Sequence, residues 1–565
     1  MENISAPRGL LDWLERPTGQ FEFLDDRGTW QPCPLPDLAA RTNGNAARLR
    51  ALGLRRDDRV VVLHRSGPAF AVSFFGVLAA GGTPCPLAPP QATGYVERWL
   101  EGAARVISAS AARLVVTDPE LVDLANDAVR RSGRSATVCE VDMSASEDFQ
   151  PQAAAELALV QFTSGSRATP RGVRVSWENL ESNIEMIYRW INRPESLGTS
   201  WLPLHHDMGL VGGFLVPLVR QLRHGLMRPE QFIKNPLIWL ERYGTGIGQV
   251  MVMPNFGYDY VVRRVSPDQL TGLDFSAVEV AVSGAERVRR STLDAFYDLL
   301  GPFGLDRKSM QPAYGLAEAT LAVTGVRFGE PPLAVGVPRG SDRQSAEIAV
   351  VTEAGADRWG EEPATNDLVW HVSCGQPLSG IDVTIIDDSG QPVGERIIGE
   401  IAVRAPSVAK GYTQNVSGSS TRFVADQLLT GDAGFKHRGE LFVLGRIGDS
   451  IQVRGRNIYV EDVESALSDA FVRASGRIVA IAGSRDGVPT ICLLSDHEIP
   501  VVDVDPIRRR VEDVTGGKVP VVLLRVRRSA LEYTSSGKPR RVSMWNKFLA
   551  GELAGAVEIH DSAAS

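Results

Sequence analysis

The sequence predicts an α/β protein in three parts: a large region of parallel sheets covered by helices, an antiparallel barrel-like unit, and a small α+β unit at the end. Three observations carry this. Short apolar runs of strand length alternate with segments of helical period through the first three hundred residues. From about residue 376, strand-length runs follow one another with only turns between them, such as Asp388-Ser389-Gly390. After residue 446, strands and helices mix again on a smaller scale.

Taken in order, residues 59–64 form a strand-length apolar run and 70–80 a helix-length one closed by Gly81-Gly82. Residues 113–117, 157–162, 199–202, 249–253 and 278–282 are further strands, rich in Val, Ile, Leu and Met. Ser176 caps a helix in which Leu180, Ile184, Ile187 and Ile191 share one face. Continuous apolar strands between helices mark parallel sheets buried on both faces. Ligands of such sheets bind beyond the carboxyl ends of the strands. Strands over 382–386, 399–404 and 440–444 make up the barrel-like unit. The terminal unit reads strand 449–454, helix 461–470, strands 477–482 and 490–495, helix 505–514, strand 519–527 and a final helix, with 561–565 disordered. The division falls near residue 446, giving a large domain over 1–446 and a small one over 447–565.

Composition bounds the function. The 565 residues are 43% hydrophobic and 23% charged, with a net charge of −8. That is ordinary for a soluble globular chain of several units at about 150 residues each. Disordered and collagenous classes are excluded, and the mildly acidic balance supplies no basic field for nucleic acid. The five cysteines (Cys33, Cys85, Cys139, Cys374, Cys492) lack paired spacing and fit a reducing, cytoplasmic compartment. Residues 1–10 are polar, so no leader is expected. The longest apolar stretch, 69–82, is shorter than the ~20 residues of a membrane span. Seven lysines stand against 53 arginines, so each lysine is compositionally unusual.

Four motifs carry chemistry. In LALVQFTSGSRATPRG (157–172) an apolar strand runs into a Ser/Gly loop whose successive N–H groups and hydroxyls can cradle anionic oxygens. An ordinary polar turn is the other reading. In AYGLAEAT (313–320), Tyr314 offers a flat face for a base and Glu318 a carboxylate for a hard cation, or else a surface acid at a helix start. In LLTGDAGF (428–435), Gly431 lets the backbone approach a ligand while Asp432 accepts two hydroxyls, or else decorates a surface turn. In YTSSGKPRR (533–541), Lys538 follows a Ser-Ser-Gly turn, where a mobile ammonium can stabilise charge on a reacting phosphate.

With SWLPLHHDMGL (200–210), VSGAERV (282–288), VSCGQPL (372–378), PSVAKGY (406–412) and GRIGDSIQVRGRN (445–457), these motifs resemble, in order and spacing, the adenylate-forming superfamily. More narrowly, HDMGL followed by Gly212-Gly213, the RGRN-x-Y run and the long segment between Gly325 and Val372 resemble the fatty acyl-AMP ligases, which carry an insertion there, at about 326–371. The resemblance covers nearly the whole chain.

It implies the adenylate-forming fold with a mobile C-terminal lid, ATP and Mg²⁺ as cofactors, and a fatty or related carboxylic acid as substrate. The acyl acceptor it implies is the phosphopantetheine of an acyl carrier protein. It also implies that Thr163, Ser164, Gly165 and Ser166 embrace the β- and γ-phosphates. Gly284, Ala285 and Glu286 would line the adenine, with Tyr314 stacked on it and Gly315 beside it. Glu318 would bind Mg²⁺, Asp432 the ribose hydroxyls with help from Arg446, and Gly448 would be the hinge. Lys538 would reach in from the small domain. His206 would sit near the acyl carboxylate, with Met208, Gly209 and Gly213 in the acyl site.

The chain departs from the family's phosphate loop, T-S-G-S/T-T-G-x-P-K-G. Arg167 and Ala168 replace its second Thr and second Gly, and Arg171 replaces its Lys. A methyl held at positive φ costs roughly 1 kcal/mol or more. Gly448 stands where Asp or Lys is common. Three functions therefore stay open: a fatty acyl-AMP ligase loading a carrier protein, a CoA ligase or ligase of a short, aromatic or unusual acid, and a non-catalytic adenylate-binding relative.

Overall fold

The computed structural model describes residues 9–90, 96–144, 146–163, 170–192, 195–338, 347–355, 368–414, 420–447, 450–453, 456–470, 478–485, 488–497, 504–515, 519–533 and 539–561. Four parallel strands form the first sheet, in the order Thr83–Pro86, Arg59–Leu63, Leu114–Thr117, Thr137–Glu140. Val60 and Val62 face one apolar core, and Val61 and Leu63 face another. Both faces are covered, which is why the strands read as unbroken apolar runs. The helix Pro68–Ala79 lies on one face, with every residue from Phe70 onward buried.

At the carboxyl ends of two of these strands, His64 Nδ1 lies 2.8 Å from Asp118 Oδ1, and Ser73 Oγ lies 2.9 Å from His64 Nε2. The arrangement has the shape of a catalytic triad, but Ser73 is 1% exposed and lines no described cavity. It is a polar tie between sheet and helix.

The central sheet places the parallel strands Val250–Pro254, Val280–Gly284 and Met310–Gly315 side by side, followed by the antiparallel strand Ala322–Gly325. Leu157–Thr163, expected in a parallel sheet, pairs instead antiparallel with Arg171–Ser176. The reason is length: the seven residues between these strands are fewer than the dozen or so a parallel crossover needs. Ser176 then caps the helix Trp177–Trp190 through a reciprocal bond with Asn179, and Leu180, Ile184, Ile187 and Ile191 are buried as the periodicity predicts.

The barrel-like unit is an antiparallel sheet of five strands, curled by register shifts at Glu400/Ala402 and Ala433/Gly434. Within 326–371, Leu333–Pro338 is flanked by Thr352–Gly355 and Leu368–Val372 as a three-stranded antiparallel sheet. The terminal unit has a four-stranded sheet with a separate core on each face. Two of its elements differ from expectation. The strand expected over 449–454 is half of a hairpin, Ser450–Val453 with Arg456–Tyr459. A two-residue gap permits only an antiparallel return. A last strand, Val557–Asp561, covers the edge of Val521–Arg525, so Asp561 is ordered, while 562–565 lie outside the described residues.

One buried residue makes stability pH-dependent. His224 is 1% exposed beside Phe21. Burial, with Arg242 nearby, pushes its imidazole down to about 3. Below the ordinary value of 6.5, the unfolded chain binds a proton that the folded one refuses. Stability is therefore lost as the pH falls from 6.5 toward 3, by up to about 1.4 kcal/mol per unit. Melting temperatures between pH 7 and pH 4 are expected to fall less steeply for His224→Gln than for the parent; equal slopes would contradict this.

Candidate functional site

The three parallel strands of the central sheet end together at Pro254, Gly284 and Gly315, and a cavity of about 1260 Å³ opens there. This exceeds the ~300–1,000 Å³ of an ordinary single-ligand pocket, leaving room for two reactants. Its lining draws on separated stretches: Thr163 at a strand end, His206, Met208 and Gly209, then Gly284, Ala285 and Glu286, then Tyr314, Gly315 and Glu318, and lastly Asp432 and Arg446. Gly213 is off this lining, packed toward Ser200 Oγ, and Gly212 lines it instead. Ser164, Gly165, Ser166, Arg167, Ala168, Gly448 and Lys538 lie outside the described residues. Tyr533 and Pro539 flank Lys538 in sequence, pair as a β-bridge and both line the cavity.

Glu318 sits in a 3₁₀ turn just past the strand Met310–Gly315 and is only 6% exposed, which rules out the surface-acid reading. Its Oε1 accepts a 2.6 Å hydrogen bond from the Tyr412 hydroxyl. The Arg171 guanidinium lies over the Tyr412 ring, 5.9 Å from its centre. Burial and the neighbouring carboxylate push the Tyr412 hydroxyl up, so it remains a donor. Among the described residues no cluster of three or more His, Cys, Asp or Glu could hold a metal alone. A single carboxylate fits Mg²⁺ only where substrate phosphates and water supply the other oxygens.

Asp432 lies in the strand Gln427–His437, beside the register shift, and not in a surface turn. One carboxylate oxygen accepts from the Tyr314 hydroxyl at 2.6 Å and the other from Arg446 Nε at 3.0 Å. Burial and Asp432 hold the Tyr314 hydroxyl well above its usual range, which keeps it protonated. Two glycines clear space here: a Cβ on Gly315 would meet Leu321 O at 2.0 Å, and one on Gly284 would meet Ala313 O at 3.1 Å. Ala285 follows at φ +66.

At the other end of the cavity, Met208–Leu215 is a wholly buried π-helix capped by the Asp207 carboxylate. Gly209 permits the close turn, since a Cβ there would meet Pro203 O at 2.3 Å. The His205 and His206 rings lie 4.5 Å apart, and burial with this neighbour holds His205 well below the imidazole range. Gln161, 2% exposed, ties the strand ending at Thr163 to this segment through His205 O at 2.8 Å.

The terminal unit closes the remaining side. Arg287, next to Glu286, ion-pairs with Asp462 in the first turn of the helix Val460–Ala470, and its Nη2 lies 3.3 Å from His371 Nδ1. Arg541 bridges Glu461 and Glu464 at 2.9 and 2.8 Å. Sequence reasoning missed Tyr412, although the PSVAKGY motif contains it, because nothing local ties it to Glu318, 94 residues away. It missed the Arg287–Asp462 contact for the same reason.

A family model described as AMP-binding enzyme matches residues 35–413. A 4-hydroxyphenylalkanoate adenylyltransferase of Mycobacterium marinum is 32% identical over 95% of this chain and 88% of its own. The medium-chain-fatty-acid–[acyl-carrier-protein] ligase JamA of Moorena producens is 31% identical over 88% of this chain and 87% of its own. A solved structure from studies of fatty acyl-adenylate ligases of E. coli and L. pneumophila superposes with a TM-score of 0.83 at 28% identity, covering 96% of this chain and 98% of that one.

Proposed function

The chain belongs to the AMP-binding enzyme family and is an acyl-AMP ligase, and from that premise we propose that it activates a fatty or related acid with ATP and Mg²⁺ and passes the acyl group to the phosphopantetheine thiol of a carrier protein. The observation that carries the assignment of roles is the convergence of motifs more than a hundred residues apart on one cavity.

In this reading an acid carboxylate oxygen attacks the α-phosphorus of ATP in line. A C–O–P anhydride forms, the α–β P–O bond breaks, and pyrophosphate leaves with the bonding electrons. Carboxylates are weak nucleophiles, so the protein contributes position and charge complementarity. Tyr314 and the Gly284–Glu286 loop hold the base, and Asp432, oriented by Tyr314 and Arg446, accepts the ribose hydroxyls. Glu318, together with the phosphates, would hold Mg²⁺, which would supply positive charge to offset that on the leaving group. His206 faces the carboxylate, and Lys538 orients it and stabilises the transition state. Tyr412 and Arg171 fix the Glu318 carboxylate.

The relative named as an acyl-carrier-protein ligase supports the acceptor assignment. Among the described residues no helix is long and apolar enough to cross a membrane, and the scattered cysteines favour a cytoplasmic setting. One experiment separates the three open functions. The protein is given ATP, Mg²⁺ and a mixture of acids, with no acceptor, with CoA, or with a phosphopantetheinylated carrier protein, and products are weighed. Acyl-AMP in the first arm and acylated carrier in the third are expected. Predominant acyl-CoA moves the acceptor to CoA. Nucleotide binding without acyl-AMP from any acid gives the non-catalytic reading, with Arg167 and Ala168 as its cause.

Tyr314→Phe keeps the ring and removes the donor to Asp432. A buried hydrogen bond to a charged group is worth about 1.5–3 kcal/mol, so the KM for ATP is expected to rise roughly tenfold or more, with the KM for the acid little changed. Steady-state kinetics on both substrates checks this.

A further inference from the structure

We propose that Arg287 is a positioning residue for the activation of the acid: by clasping Asp462 it sets the terminal unit against the nucleotide loop, so that Lys538 meets the reacting phosphate. This rests on the ligase reading and adds to it a residue that acts through Lys538.

Arg287 is held on both sides along the chain. The Glu286 carboxylate accepts from Phe256 N, and Arg289 N donates to Asn255 Oδ1 at 3.0 Å. Both anchors lie in the first turn of the helix Asn255–Arg264, so the loop carrying Arg287 is fixed where it lines the cavity. The guanidinium is fixed as well. One terminal nitrogen pairs with Asp462 Oδ1, and the other lies 3.3 Å from His371 Nδ1 on the strand Leu368–Val372. Asp462 is 9% exposed and His371 4%. Exposed ion pairs contribute little, but taking the guanidinium from a buried carboxylate removes charge that offsets its burial.

From Asp462 a continuous run of contacts leads to the base of the Lys538 turn. Asp462 shares the start of the helix Val460–Ala470 with Glu461 and Glu464, which together hold Arg541. Arg541 Nε also donates to Ala480 O at 3.2 Å. Two residues before Arg541 stands Pro539, bridged to Tyr533 across the turn, and Arg540 N donates to Glu532 O at 2.7 Å. Tyr533, Pro539, Arg541 and Arg287 all line the one cavity.

The terminal unit has a second anchor of a different kind. Tyr459 packs in an apolar cluster with Val335, Phe435 and Leu444. Apolar burial is non-directional. It fixes where the helix begins, and the ion pair three residues on fixes which way it points. A misplacement of about 1 Å at a reacting centre can cost a hundredfold in rate, so a clasp remote from the phosphates can govern turnover.

The test is single-turnover pyrophosphate release at saturating ATP, with whichever acid in a mixture of straight-chain and aromatic acids yields the most acyl-AMP. Arg287→Ala is expected to slow release at least tenfold while the KM values for ATP and acid stay within threefold. Asp462→Asn keeps the side chain's shape and is expected to do the same, which keeps the test decisive should Arg287→Ala fold poorly. The two together are expected to be no slower than either alone. Added to Lys538→Ala, Arg287→Ala is expected to change the residual rate less than twofold. Unchanged release in both single variants overturns the proposal. So does a tenfold rise in the KM for ATP at unchanged kcat, or a further tenfold loss in the Lys538→Ala background, since either makes Arg287 a nucleotide contact. A Lys538→Ala variant as fast as the parent removes the group being positioned and overturns it too. All of these leave acid-dependent release by the parent, and with it the ligase reading, intact; a parent that releases no pyrophosphate with any acid overturns both.

Discussion

Lys538→Ala is expected to lower acid-dependent pyrophosphate release at least a hundredfold while leaving the melting temperature close to that of the parent. Lys538 is one of seven lysines in a chain with 53 arginines, and it follows a Ser-Ser-Gly turn. The residues flanking that turn, Tyr533 and Pro539, are bridged to each other and line the cavity. Removing one preorganised group aimed at developing charge typically costs 10²–10³ in turnover. Lys538→Arg is expected to restore only part of the loss, because a planar guanidinium cannot reproduce a compact ammonium at the same point. Full activity in Lys538→Ala contradicts the role. Single-turnover release at saturating ATP is the direct measure.

Glu318→Gln is expected to lower turnover by a similar factor. The substitution keeps the shape and an acceptor for the Tyr412 hydroxyl, so the buried bond survives. Alanine would leave that hydroxyl unpaired at about 1–3 kcal/mol, mixing folding with catalysis. The glutamine variant therefore isolates the lost charge. Its Mg²⁺ requirement is expected to shift to higher concentration, read from release rates across a Mg²⁺ titration at fixed ATP. An unchanged Mg²⁺ curve with normal turnover removes Glu318 from metal binding.

Much of the fold was legible because its signals are local. The strand 59–63 reads as an unbroken apolar run because neighbours bury both faces, and Ser176 announces its helix through a cap three residues from its partner. The pairing of Leu157–Thr163 was misread because strand pattern does not encode direction; the loop length did, and it points to an antiparallel return. The last strand, Val557–Asp561, is short, polar at its end and defined by the edge it covers, so nothing in its own residues predicted it.

The site divides the same way. Glu318 and Asp432 could be singled out from their motifs, yet each had a surface reading that only burial removes. What orients them, Tyr412 and Tyr314, comes from contacts 94 and 118 residues apart. The motif order carried the resemblance; the pairwise chemistry needed coordinates.

The central claim is that this cavity joins an acid to AMP, and mass spectrometry of a reaction holding only protein, ATP, Mg²⁺ and a mixture of straight-chain and aromatic acids tests it most directly. The account predicts acyl-AMP and pyrophosphate in equal amounts, with neither formed when the acids are left out. Hydrolysis of ATP without an acyl-adenylate, or intact ATP bound beside unreacted acid, would contradict it.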